Sequence, residues 1–213
     1  MSSAGGGAAP PSAVAIIPAR GGSTRLPRKN ATEVLGTPLV GWVANAALSS
    51  RYLGAGRVFV STDDEEISRL ATKHGARVIT RPSELADNTT WTEPVIRHAV
   101  THLEQSGLHV DLVVWLNASI PEVQGADIDL AIRKLLDAGL REVFAVDGRD
   151  HCTSAVRVLR RSALDQRALS VNAGVVRLDY IDVHYASDLK LVEERLLRRR
   201  QSELQAAHGG APA

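Results

Sequence analysis

The residues best suited to chemistry lie between Val14 and Asn30, Val-Ala-Ile-Ile-Pro-Ala-Arg-Gly-Gly-Ser-Thr-Arg-Leu-Pro-Arg-Lys-Asn. Val14 to Ile17 is a short, apolar, partly β-branched run, the pattern of a buried strand, and Pro18 ends it. Behind it stand Gly21 and Gly22 and the cations Arg20, Arg25, Arg28 and Lys29. Glycine lets a backbone approach a ligand closely, and a strand-to-loop turn points its amides outward. Arg and Lys ranged around such a turn suit a polyanion, above all a nucleoside triphosphate. Taken without regard to order, this composition more often marks a solvated basic loop.

The order of residues shifts that balance. Pro18-Ala19-Arg20-x-Gly22-Ser23-x-x-x-Pro27-x-Lys29-Asn30 after a first strand resembles the N-terminal fingerprint of the CMP-sialic acid synthetase (acylneuraminate cytidylyltransferase) family. The resemblance implies transfer of CMP from CTP to an acidic sugar, with release of pyrophosphate. It implies that the backbone at Pro18 and Ala19 faces the base and that Arg20, with Arg25 or Lys29, holds the triphosphate. Gly21, Gly22, Ser23 and Asn30 complete the nucleotide loop. One departure concerns charge: the family has Lys directly after the Ser, where this chain has Thr24 followed by Arg25.

Further segments carry the same resemblance. Arg81-Pro-Ser-Glu-Leu-Ala86 matches a loop whose Arg faces the nucleotide, and Asn88 and Thr92 follow as nucleotide-binding candidates. Leu116-Asn117-Ala-Ser119-Ile-Pro121-Glu122-Val123 stands where the family reads Leu-Gln-Pro-Thr-Ser-Pro-Leu-Arg, a loop that helps hold the acceptor. The frame of Leu116 and Pro121 survives and the terminal Arg is gone, so the site is expected to be rebuilt for another acceptor. Asn117, Ser119 and His151 are the acceptor-binding candidates. Tyr180-Ile-Asp182-Val-His184-Tyr-Ala-Ser-Asp188-Leu189 resembles the family's Ile-Asp-Ile-Asp-x-x-x-Asp-Leu, whose first two aspartates bind magnesium. On a strand, Asp182 and His184 would point to one face. A lone His on a strand is usually structural; its place in this pattern makes Asp182 and His184 the candidate metal pair. Magnesium prefers oxygen, so His184 is expected to touch a bound water or a phosphate, with manganese a substitute ion.

The elements that must position these residues alternate in type. Strands are expected at residues 14–17, 57–61, 76–80, 111–116, 142–146, 155–159 and 169–178, with helices starting near Thr37-Pro38, Thr62, Thr92, Asp127 and Ser187. At Thr62-Asp-Asp-Glu65 a capping box is the reading, so Asp63 and Asp64 serve the helix dipole rather than a metal. The same argument assigns Arg198 to Arg200 to the end of the last helix. Alternating strands and helices imply a three-layer α/β sandwich with a mostly parallel mixed sheet, which the resemblance places among nucleotide-diphosphosugar-transferase-like folds. In such sheets ligands sit beyond the carboxyl ends of the strands.

Composition sets the outer limits. The 213 residues are most simply a single domain over 13–206, between a disordered Gly/Ala/Ser/Pro lead at 1–12 and a disordered tail at 207–213. A net charge of +1 and 4% aromatic content argue against nucleic acid as a partner. The sole cysteine, Cys152, fits a reducing cytoplasm, and no apolar run reaches the roughly 20 residues of a membrane span. The family carries a dimer-forming insertion between the last strands, for which this chain leaves little room; a homodimer stays an open expectation. The reading is a CTP-dependent, magnesium-assisted cytidylyltransferase. Its acceptor is a sialic-acid-like sugar or a smaller acid such as a phosphonate, phosphonoformate for example. The alternatives are a nucleotidyltransferase for another base or a sugar phosphate, and a degenerate protein that binds CTP without catalysis.

Overall fold

The computed structural model describes residues 11–87, 90–166 and 170–208. Asn88, most of the expected lead and part of the expected tail lie outside these residues. Strand β1, Ala13–Pro18, lies in the interior of the sheet. Its side chains alternate between two cores: Ala13, Ala15 and Ile17 enter one, Val14 and Ile16 the other. A strand covered on both faces has no polar side to show, which is why the sequence run is continuously apolar.

A ribbon of β2, Glu33–Val34, and β3, Thr37–Pro38, follows. The remaining strands are β4, Val58–Thr62; β5, Arg77–Thr80; β6, Leu112–Leu116; β7, Glu142–Val146; β8, Cys152–Arg160; and β9, Ala173–Arg177. They form a seven-stranded sheet in the order β5-β4-β1-β6-β8-β7-β9, in which β8 pairs antiparallel with both neighbours and the other pairs are parallel. The expected mostly parallel sheet is therefore present.

Helices α1 (Leu39–Leu48), α2 (Glu65–Lys73) and α4 (Gly125–Asp137) cover one face through residues such as Val43, Ile67 and Ile132. Helix α3, Thr92–Gln105, covers the other with Ile96, Ala99, Val100 and Leu103. The last helix, α5, Ala186–His208, docks Val192 and Leu196 on Leu39 and Val183. No helix among the described residues is long and apolar enough to cross a membrane.

Several local expectations are corrected. Helix α1 begins at Leu39, because Thr37 and Pro38 pair with β2 before the chain coils. Asp64, not Thr62, caps α2, its carboxylate accepting from Ile67 N at 2.9 Å. No strand forms over Tyr180–His184; the segment is an extended loop. Ser187 lies inside α5, where Asp188 accepts the amides of His184 and Tyr185, each at 2.8 Å. Because α5 continues to His208, Arg198 to Arg200 lie mid-helix rather than at its end. Ser12, assigned to the lead, is tied in by its amide to Asp111 at 2.8 Å.

Candidate active site

The sheet's order reverses at β1, which has β4 on one side and β6 on the other. Such a switch point opens a crevice beyond the strands' carboxyl ends. A cavity of about 280 Å³ lies there. Its walls include Pro18 at the end of β1 and Arg20 after it, Arg81 after β5, and Asn117 and Ser119 after β6. Ser23, Lys29, Asn30, Thr92, Asp182 and His184 also line it. Most of the candidates scattered through the sequence thus meet in one place.

The cationic wall is built by the loop after β1. Gly21 is needed because a Cβ there would meet Asp64 Oδ2 at 2.6 Å, whereas one at Gly22 would meet nothing within 4 Å. The Gly21 amide donates to Asp63 Oδ1 at 3.0 Å. Asn30 Nδ2 donates to the Arg20 carbonyl at 3.0 Å, and Arg20 Nη1 donates to the Asp87 carbonyl at 2.6 Å. Lys29 Nζ donates to the Val183 carbonyl at 2.9 Å. Burial holds the Lys29 ammonium below its ordinary pKa; Asp182 opposes that, while Arg20 and Arg25 add to it. Arg25 lies at an adjoining opening shared with Arg20, Ser23, Thr24, Lys29 and His184.

Arg28 leaves the group of triphosphate candidates. Its backbone is left-handed, with φ of 58°, and its guanidinium forks onto Asp64 at 2.5 and 3.0 Å and onto Glu66. Asp63 and Asp64, read from sequence as helix-dipole residues, also fasten the basic loop to the start of α2. That pairing holds the Asp64 carboxyl below the usual range.

Arg81 is 6% exposed, and its Nη2 donates to the Ser61 carbonyl at 2.7 Å. Burial pushes its pKa down to about 10, with Asp63 opposing and Arg20 adding to the effect. It remains cationic at neutral pH, a buried charge on the cavity wall that an anion would stabilise.

Asp182 faces these cations from a cradle of neutral donors. Its Oδ1 accepts from Ser119 Oγ at 2.6 Å, and its Oδ2 from Asn117 Nδ2 at 3.1 Å and Ser154 Oγ at 3.2 Å. His184 Nε2 is 3.6 Å from Asp182 Oδ2. Asp182 and His184 therefore share a face, as expected, although a loop rather than strand alternation puts them there. Among the described residues no three His, Cys, Asp or Glu side chains converge on a metal site. Magnesium is commonly held by one or two carboxylates together with substrate phosphates, so a lone Asp182 fits an ion shared with a nucleotide.

The structure leaves some candidates aside. Ala19 is fully buried, so only its backbone can serve a ligand. His151 is absent from the cavity wall; it sits on the β7–β8 turn, where its Nδ1 lies 3.3 Å from Asp147. Residues overlooked in the sequence include Leu85, Asp87, Thr90 and Val95 on the wall and Ser154 behind Asp182. Ser154 was traceable, since an antiparallel β8 must begin at the end of the sheet where β6 finishes.

Comparison with known proteins follows the same lines. A family model described as cytidylyltransferase matches residues 14–173. The chain belongs to the cytidylyltransferase family. It is 35% identical over 131 residues to a pseudaminic acid cytidylyltransferase of Campylobacter jejuni, covering 61% of this chain and 56% of that protein. It is 33% identical over 132 residues to N-acylneuraminate cytidylyltransferase A of Danio rerio, covering 62% of this chain and 29% of that one. The matched stretch thus spans about half, or less, of these relatives. Among solved structures, CMP:2-keto-3-deoxy-manno-octonic acid synthetase complexed with CTP has a TM-score of 0.68 at 18% identity, covering 88% of this chain and 99% of that one. A 4-diphosphocytidyl-2C-methyl-D-erythritol synthase has a TM-score of 0.64 at 13% identity, covering 87% and 99%. These likenesses place the fold among nucleotide-diphosphosugar-transferase-like sandwiches. The family match ends before Tyr180, so the correspondence of Asp182 rests on its motif and on geometry.

Proposed function

We propose that this chain transfers CMP from CTP to an acidic acceptor and releases pyrophosphate. One observation carries the reading: Arg20, Lys29 and the buried Arg81 line the same cavity as Asp182 in its cradle of Asn117, Ser119 and Ser154. Cations on one wall suit a triphosphate, and a carboxylate facing them suits the point where phosphate charge must be balanced. Membership of the cytidylyltransferase family supports CTP as the donor.

In this reading an acceptor oxygen attacks the α-phosphorus and pyrophosphate leaves. The reaction needs positioning and charge neutralisation more than covalent help. Arg20 and Lys29, with Arg25 at the outer opening, hold the triphosphate. Arg81 fixes the inner wall. Asn117 and Ser119 stand toward the acceptor and keep Asp182 oriented. Asp182, with His184 beside it, would hold magnesium, which neutralises phosphate charge when bound. Sialic- and pseudaminic-acid-type relatives favour a nonulosonic-acid-like sugar as acceptor over a small phosphonate. The lone, exposed Cys152 supports a cytoplasmic site of action.

Pyrophosphate release with each of CTP, UTP, ATP and GTP, in magnesium and across a panel of sugar acids and phosphonates, tests the reading. CTP and a sugar acid should give the highest turnover. Equal turnover with UTP or ATP overturns the choice of base. CTP binding without pyrophosphate release from any acid makes the chain a binding protein.

A further inference from the structure

We infer that Glu122, gripped by Arg195, is a positioning residue that sets the loop carrying Asp182; this rests on the reading above, in which Asp182 acts at the substrate. Among the described residues the loop at residues 179–183 has no strand partner, so its backbone depends on tertiary bonds for its shape. Glu122 Oε2 accepts the Ile181 amide at 2.8 Å, and Glu122 Oε1 meets Arg195 Nε at 2.8 Å. Arg195 Nη2 donates to the Asp179 carbonyl at 2.5 Å. Arg199, one turn further along α5, donates to the Glu122 carbonyl at 2.7 Å. One ion pair therefore holds the loop three residues before Asp182, at Asp179, and again at the residue preceding it, Ile181.

Burial makes the arrangement costly. The Glu122 side chain is 6% exposed, and burial pushes its carboxyl up while Ile181 and the arginines oppose that. A buried carboxylate is a poor route to stability, because an apolar residue of like volume does as well or better. What an apolar residue cannot do is accept the Ile181 amide, and that bond fixes which way the next side chain, Asp182, points. Glu122 also lies three residues after Ser119, which donates to Asp182 from the same loop after β6. That loop thus holds Asp182 both directly, through the Ser119 hydroxyl, and indirectly, through the Glu122 grip on Ile181.

The test compares Glu122→Ala, Glu122→Gln and Arg195→Ala in the full chain. Glutamine keeps an oxygen for the Ile181 amide and loses the charge; alanine loses both. Glu122→Ala should lower turnover at saturating magnesium and CTP at least tenfold, with CTP affinity within about twofold of the parent. Glu122→Gln should recover most of that turnover, and Arg195→Ala, a change on a more exposed helix residue, should fall between. Equal turnover of folded Glu122→Ala and Glu122→Gln overturns the proposal even where both lower the melting temperature. Amide hydrogen exchange provides a readout free of activity. Glu122→Ala should speed exchange at Ile181 and Val183 at least tenfold and leave Ile16 in β1 unchanged; no change at Ile181 also overturns it. If Asp182→Asn proves fully active, the functional reading falls, and exchange at Ile181 still judges the clamp. Should Glu122→Ala fail to fold, Arg195→Ala must carry both signatures, and their absence there refutes the inference.

Discussion

Ser119 Oγ stands 2.6 Å from Asp182 Oδ1, a hydrogen bond between the loop after β6 and the loop before α5. With Asn117 and Ser154 on the other oxygen, neutral donors hold the carboxylate from both sides. Neutral donors fix an orientation without cancelling charge, and a charge aimed at a cation-lined cavity is what metal-assisted phosphoryl chemistry needs. Asp182→Asn should therefore remove most turnover, with extra magnesium recovering little. Ser119→Ala should cost about tenfold or less, since two donors remain, about 1.4 kcal/mol of barrier at most. Steady-state kinetics across magnesium concentrations separates the two. Full magnesium-dependent turnover in Asp182→Asn would show that the loop is merely structural.

Arg25 and Arg28 are three residues apart in a basic loop and should behave oppositely. Arg25 lies at the outer opening beside Arg20, Lys29 and His184, next to the Thr24 that stands where the resembling pattern has lysine. Arg25→Ala should lower turnover at least about tenfold, roughly 1.4 kcal/mol. Arg28 is engaged by Asp64 and Glu66, so Arg28→Ala should loosen the loop and alter turnover less than about threefold. The reverse ranking would exchange the two roles.

The Arg28 pair also predicts a pH effect on stability. Asp64 titrates below its ordinary value chiefly because Arg28 hydrogen-bonds it. A depressed carboxylate contributes stability above its unfolded pKa, near 4, and loses it as pH falls through the folded pKa. Melting temperatures of the parent and Arg28→Ala should differ at neutral pH and converge as pH falls through the lowered Asp64 pKa. A gap that stays constant down to full protonation of the carboxylates refutes the assignment.

Lys29 supplies a proton-linked readout of triphosphate binding. Burial lowers its pKa, and an arriving polyanion favours the charged form. CTP binding should therefore take up protons, and affinity should weaken as pH rises through the Lys29 pKa. Calorimetric titration across a series of alkaline pH values, in buffers of different ionisation heat, measures this, and Lys29→Met should abolish it. Unchanged uptake in Lys29→Met assigns the proton to another group.

Much of the fold is legible in the chain because its local signals agree. Val14 to Ile17 shows a strand buried on both faces, and Thr92 to Leu103 shows the 3.6-residue stripe that becomes α3. Arg81, Asn117 and Asp182 could be collected because a parallel sheet places its loops together. What the sequence hides depends on pairing across distance. Arg28 reads as a triphosphate ligand until Asp64 and Glu66 are seen to engage it. Glu122 reads as a lost arginine's neighbour until α5 brings Arg195 to it. Tyr180 to His184 alternates like a strand, and only the absence of a ladder partner makes it a loop.

His184 is the substitution with the most to reveal, because it puts nitrogen where the resembling pattern has a carboxylate. Its Nε2 is 3.6 Å from Asp182 Oδ2. Adjacent ligands of one octahedral ion at 2.0–2.1 Å lie about 3 Å apart, so this pair is close enough to share an ion after a small shift. Two roles then give different outcomes. If His184 orders a water or a phosphate, His184→Ala should be milder than Asp182→Asn and its effect similar in magnesium and manganese. If it ligates the ion, the parent should work comparatively well with manganese or cobalt, which accept imidazole more readily than magnesium does. In that case His184→Asp should keep its magnesium activity and lose the advantage with manganese, because a hard oxygen pair suits magnesium. Turnover of the parent, His184→Ala and His184→Asp with each ion decides between them. A manganese advantage that persists in His184→Asp removes His184 from the metal's ligands and leaves Asp182 as the carboxylate that would hold it.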